Sequence, residues 1–446
     1  MTEVALEKEW YLNDFKVFEK TLNGQASTRL HHIRQAAIDR FARIGFPSRR
    51  QEAWRFTNIE PVKKIKFKHL YDSAKLTADL HIEPYKFAGV ENHLVFVNGY
   101  FSPQLSGCPS LPDGVVVESL ATAIKKYPDL VNQHLAQYVQ FDDHAFAALN
   151  TAFMVDGAFV YIPQNVIVEK PIHLLFLSGT HDESILSHPR NLIVLDKSSQ
   201  ATVLESYVGK RNSVYFTNPV TEVVMEDNAI MEHYKIERES EKAFHIAVQN
   251  IEQKRNSRYV SHNYSFGGSL VRNDLRVVLD GENVDAELNG LYMLWDDQLC
   301  DNHTLIEHAR PNCRSRELYK GILDDHSRAV FNGKILVHPN AQKTDAVQAN
   351  KNLLLSDDAK VDTQPQLEIY ADDVKCTHGG TVGQMDRDGI FYLRTRGIDE
   401  AIARSMIIHS FAGEVLQHIK IDSIRDKLDK EVVKRLNKRF HANEKN

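Results

Sequence analysis

Cysteine is scarce in this chain: four residues in 446, Cys108, Cys300, Cys313 and Cys376, none of them in a C-x-x-C pair. They are too few and too scattered for a disulfide framework. Long apolar runs are missing as well. Nowhere do roughly 18 consecutive apolar residues occur, and the opening MTEVALEKEWYLNDF carries a charge every few residues where a signal peptide would be apolar. The expectation is a cytoplasmic protein with no membrane partner. Positive charge is not in excess either: 54 Lys and Arg against 60 Asp and Glu leave a net charge of −6, the wrong sign to attract a phosphate backbone. Nucleic acid is therefore not an expected partner. No G-x-x-x-x-G-K-[ST] loop, G-x-G-x-x-G fingerprint or G-x-S-x-G elbow is present, so nucleotide hydrolysis, hydride transfer and α/β-hydrolase chemistry lack their usual supports.

What is present is an ordinary globular composition, 42% hydrophobic and 26% charged, in a chain long enough for several domains or one elongated repetitive body. Three parts are expected, at 1–156, 157–390 and 391–446. The first is helical with irregular connections. Leu30, Ile33, Ala37, Phe41 and Ile44 recur at helical spacing, with Ser27 as a candidate N-cap, Gly45 as a stop and Pro47 beyond it. Residues 119–140 and 144–153 also read as helical, the former broken at Pro128.

From about Gly157 short extended runs take over: AFVYIP, IHLLFL, NLIVLD, TEVVME, LRVVLD, AVFNGKILV and LEIYADDV. No amphipathic helix separates them, which argues against β-α-β crossovers and leaves a sandwich, a barrel or a solenoid. Corners such as Asp227-Asn228-Ala229, Asn340-Ala341, Asp358-Ala359 and Asp372-Asp373-Val374 favour a solenoid, in which each coil pairs with the coil above and below. The last part is helical again. It carries an apolar stripe of Ile398, Ile402, Met406, Val415, Leu416 and Ile419, then a second helix from about Ser423 with Ile424, Leu428, Val432 and Leu436 at steps of four and a basic face of Lys427, Lys430, Lys434 and Lys438.

The sharpest chemical feature is ADDVKCTHGGTVGQ, residues 371–384. In a strand, residues two apart share a face, so the Cys376 sulfur and the His378 imidazole would project together. Thiolate and imidazole are donors chosen by zinc, copper and iron–sulfur species. Two donors do not complete a four-coordinate site; the others must come from folding, from substrate or from another chain. A buried Cys beside a hydrogen-bonded His is the plainer reading of that spacing. A second concentration, His303, Glu307, His308 and Cys313, reads as structural, because in a strand His303 and Glu307 share a face that His308 does not. Carboxylates at β corners leave open a carbohydrate-active β-helix enzyme.

The run from Asp301 to Gln384, with FYLRTRGIDEAIA after it, closely resembles the SufB/SufD family of iron–sulfur cluster assembly proteins, and the likeness extends upstream through LNGLYM and ALNTAF to GFPSRRQEAWRFTNI (45–59). KCTHGGTVGQ resembles the SufD form of the motif; the SufB form is acidic and contains glutamate. The resemblance implies a mainly β fold, a right-handed parallel β-helix between helical ends, in a scaffold that is not itself an enzyme. It implies pairing with SufB through the C-terminal strands and with the SufC ATPase through the C-terminal helical region, with a homodimer possible in isolation. It also implies that iron or a nascent iron–sulfur cluster is held transiently at the SufB–SufD interface, at the positions of His378 and Cys376. A SufB-like scaffold is the nearest alternative.

Overall fold

The computed structural model describes residues 3–22, 28–71, 80–179 and 184–440. Its body is a β-solenoid of about seven turns with helices at both ends, as the sequence leads one to expect. Two sheets, parallel except at their upstream ends, form the walls. Strands starting at 258, 285, 314, 345 and 375 stack in the ten-stranded sheet, and strands starting at 244, 270, 299, 328 and 360 stack in the twelve-stranded one. Each coil thus takes roughly 30 residues and gives one strand to each sheet. Pairing is in register, so residues joined across a ladder point to the same side.

One corner column shows how the sequence turns the chain. Ser198, Asn228, Asn256, Asn283, Asn312 and Lys343 all have φ between 56° and 64°, the left-handed region that asparagine tolerates best among residues with a Cβ. The side chains of Asn228, Asn256 and Asn283 also bond to one another in a short ladder at 3.0 and 3.3 Å. The small residue that follows the polar one at a corner goes inside: Ala229 after Asn228, Ala341 after Asn340 and Ala359 after Asp358 are buried.

The core runs along the solenoid axis, with Leu174, Ile193, Val223, Ile251, Val277, Leu288 and Ile306 among its members; burying each such side chain contributes about 1.5–3 kcal/mol. Polar residues interrupt it. Glu205, His233, Lys235, Glu237 and His245 are all buried and joined by ion pairs and hydrogen bonds.

Sheet residues appear well upstream of Gly157. Asn92–Val97 pairs in parallel with Ile172–Ser178, and Val116–Ser119 pairs antiparallel with Ala158–Ile162. The apolar run HLVFV supplies the β-forming residues for the first of these. Residues 119–140 form two short helices, Leu120–Lys126 and Pro128–His134, with Pro128 opening the second. The helix Arg29–Ile44 is capped by Thr28, whose side chain accepts from the His31 N–H, and ends at Gly45 with φ 64°; the candidate cap Ser27 lies outside the described residues.

At the other end, three helices follow the solenoid: Arg387–Thr395, Glu400–Leu416 and Asp422–Phe440. The first takes in FYLRT, capped by Asp386. Val415, Leu416, Ile419, Ile424, Leu428, Val432 and Leu436 pack against the ten-stranded sheet through Tyr264, Leu291, Met293 and Ile322. The expected apolar stripe divides here, because Ile402 and Met406 stay exposed. The basic face is not uniformly solvated either: Lys427 donates to the Pro84 and Lys86 carbonyls, and burial lowers its pKa to about 8.

Candidate functional site

Cys376 and His378 lie on the last strand, Lys375–Gln384, which pairs with Asp345–Leu354 on one side only among the described residues. Register settles where they point. Cys376 is the partner of Ala346 and His378 of Gln348, and both partners are buried inside the solenoid. The thiol and the imidazole therefore face the solenoid axis on the same side, at the layer where no further coil covers them. His378 is exposed and Cys376 half-buried.

The two differ in setting. Cys376 packs on Ile335, Val337, Ala341 and Ala346 with Leu367; burial pushes its thiol pKa up and the Asp345 carboxylate adds to this, against an opposing hydrogen bond from the Ala346 backbone. Such a thiol stays protonated until a metal or a cation displaces the proton. The His378 ring makes no hydrogen bond within the described residues. Beneath it, Gln348 Nε2 donates to Glu317 Oε2 at 2.7 Å, and burial pushes Glu317 up to about 7.

Across the axis the last strand of the twelve-stranded sheet, Lys360–Ile369, supplies the facing wall. Thr363, Pro365 and Leu367 fall in the inward register, aligned with the buried Phe331, Gly333 and Ile335. A Cβ added at Gly380 would come within 3.6 Å of Thr363, so the two walls approach closely there. Sequence reading did not find these wall residues or Gln348. The signal was the roughly 30-residue coil length, which aligns 317, 348 and 378 and was obscured by unequal corners.

No group of three or more His, Cys, Asp or Glu among the described residues is placed to hold a metal ion. Among the described residues the open end offers these two donors without a complete ligand set. The other cysteines do not join it: Cys300 and Cys313 are buried, and burial raises the thiol pKa of Cys108 and of Cys313 to about 11. The second concentration separates as its strand spacing requires. Glu307 bridges Arg276 and His338, His303 bonds Asp301, and His308 points inward to Ser315. Some carboxylates at or beside the corners are paired: Asp280 bonds Lys254 and Arg310, and Asp285 bonds Arg314.

Two family models cover most of the chain: the SufBD protein N-terminal region matches residues 6–174, and the SUF system FeS cluster assembly SufBD core domain matches residues 176–411. The chain belongs to the SufBD family. An iron–sulfur cluster assembly SufBD family protein of Synechocystis is 35% identical over 91% of this chain and 91% of its own length. The iron–sulfur cluster assembly protein SufD of Escherichia coli is 32% identical over 90% of this chain and 92% of its own, and SufD of Bacillus subtilis is 27% identical over 96% and 97%. A role in iron–sulfur cluster assembly follows from this membership. No described helix is long and apolar enough to cross a membrane.

Proposed function

We propose that this SufBD family chain is a SufD-type scaffold whose open solenoid end is half of a site completed by a SufB-type subunit. The observation that carries the reading is a pair of soft donors, Cys376 and His378, aimed into an uncapped layer on a strand with a free edge. Free edges are normally blunted by charge or proline. Lys360–Ile369 has Pro365 at its centre, whereas KCTHGGTVGQ carries one charge, Lys375, and no proline. The second strand is thus the better template for a neighbour's strand, which would add backbone pairing on one side and the missing donors on the other.

Iron or a forming cluster is the cargo of that shared site, bound in passing rather than kept. The chain itself acts as a non-catalytic cytoplasmic scaffold. Energy enters through a SufC-type ATPase docked on the C-terminal helices, where Phe391, Tyr392, Ile402 and Met406 are all exposed, an unusual set for a surface with no partner.

Anaerobic reconstitution of the chain with SufB- and SufC-type partners and iron-57, followed by Mössbauer and visible absorption spectroscopy, tests this. His378→Ala should assemble normally yet lose the cluster signal. Full cluster formation by that variant would end the assignment. Weighing the complex separates pairing with a SufB-type subunit from self-pairing through the same edge.

A further inference from the structure

A cavity of about 590 Å³ lies on the flank of the molecule, far in sequence from the open end, between the last helix and the corner where four successive strands of the ten-stranded sheet finish. Gly209 and Arg211, Arg238 to Glu241, Phe266, and Trp295 with Asp296 come from those four corners; the helix adds Glu431, Lys434, Arg435, Lys438 and Arg439.

Some of the charges there are paired and some are not: Lys438 lies 3.7 Å from Glu241, while the Asp296 side chain has no partner among the described residues. Arg435 Nε is bonded to Glu431 at 2.9 Å, and Arg439 is tied to Asp324 and Asp325 of the next corner. Glu239 is taken by the Tyr215 hydroxyl and by His245. Arg211, Arg238 and Lys434 have no ion pair or hydrogen bond among the described residues. Arg238 is the telling one. Its guanidinium rests against the rings of Tyr85 and Phe87 at 5.9 and 5.8 Å, and its Nε and Nη2 are buried with no acceptor. Buried guanidinium nitrogens with no acceptor among the described residues are costly, so an anion that reaches this guanidinium gains more than it would at an exposed arginine.

We infer that this cavity binds an oligophosphate, free or as part of a nucleotide, through Arg238, Lys434 and Arg211. One carboxylate would leave most of three separate cationic groups unanswered, whereas a di- or triphosphate brings several anionic oxygens and suits the guanidinium fork. The volume falls in the range that holds a small-molecule ligand. The half-buried Trp295 gives one wall a flat aromatic surface on which a base can stack.

Titration calorimetry of the full chain at low ionic strength, with inorganic pyrophosphate and separately with ADP, tests the inference. Saturable binding of at least one is expected, weakened about tenfold or more by Arg238→Gln and by Lys434→Gln. Lys434 is exposed, so its variant is expected to fold even if the Arg238 variant does not. A nucleotide ligand predicts tighter binding of ADP than of pyrophosphate and loss of that preference in Trp295→Leu; a bare oligophosphate predicts equal binding of both. Absence of saturable binding, affinities unchanged in Lys434→Gln, or citrate binding as tightly as pyrophosphate would overturn it.

Discussion

Glu317 is buried two strands below His378, and its carboxyl shows how the solenoid interior sets the chemistry of single residues. Burial raises its pKa from 4.5 to about 7, against the hydrogen bond from Gln348. The folded state therefore favours the protonated acid. Its contribution to stability is complete below the unfolded value near 4.5 and is lost as pH climbs through about 7. Replacement by Gln removes that dependence. Urea denaturation at pH 5 and pH 8 should show the parent chain losing up to about 3 kcal/mol more than Glu317→Gln over the interval, and identical pH profiles would contradict the assignment. At this scale the sequence made Cys376 and His378 legible, since two residues apart in a strand is enough to place them on one face. It did not reveal that they face inward, because direction depends on coil register, and neither Gln348 nor Thr363 carries a motif.

Individual elements are held by a few buried clamps between distant segments. Arg272, on Leu270–Leu279, bonds Asp274 at 2.8 Å, reaches Asp301 on the next strand and the Ala53 carbonyl, and sits 3.8 Å over the Trp54 ring. It thereby fastens the N-terminal segment around Trp54 to the twelve-stranded sheet. Arg272→Met keeps much of the stem but leaves the buried Asp301 and the half-buried Asp274 without its charge, at a cost of about 3–5 kcal/mol. A chemical denaturation midpoint within error of the parent would show that the clamp is dispensable. Strand and helix types were readable from composition: β-branched and aromatic runs for the former, fourfold apolar spacing for Ile424, Leu428, Val432 and Leu436 in the latter. The strand Asn92–Val97 escaped because it is one short apolar run among irregular connections, and its partner, Ile172–Ser178, lies some 80 residues away. The neat stripe through Ile402 and Met406 divided for another reason: only its C-terminal half meets the solenoid.

For the whole molecule the main consequence is an asymmetry between its ends. At the upstream end the two sheets finish in Val116–Ser119 and in Tyr100–Phe101, each joined antiparallel to its neighbour, while the downstream end presents two terminal parallel strands, one carrying a proline and one without. Partner contacts divide accordingly. Met406→Glu, on the exposed side of Glu400–Leu416, should weaken capture of a SufC-type ATPase in a co-purification assay and leave SufB-type pairing intact; loss of both together would place the two contacts on one surface. The most direct test of the account is hydrogen–deuterium exchange over residues 375–384 in the chain alone and after addition of a SufB-type subunit. The account predicts that these edge amides gain protection in the complex and that Cys376 becomes resistant to alkylation there. Unchanged exchange and unchanged alkylation in a complex proven to have formed would contradict it.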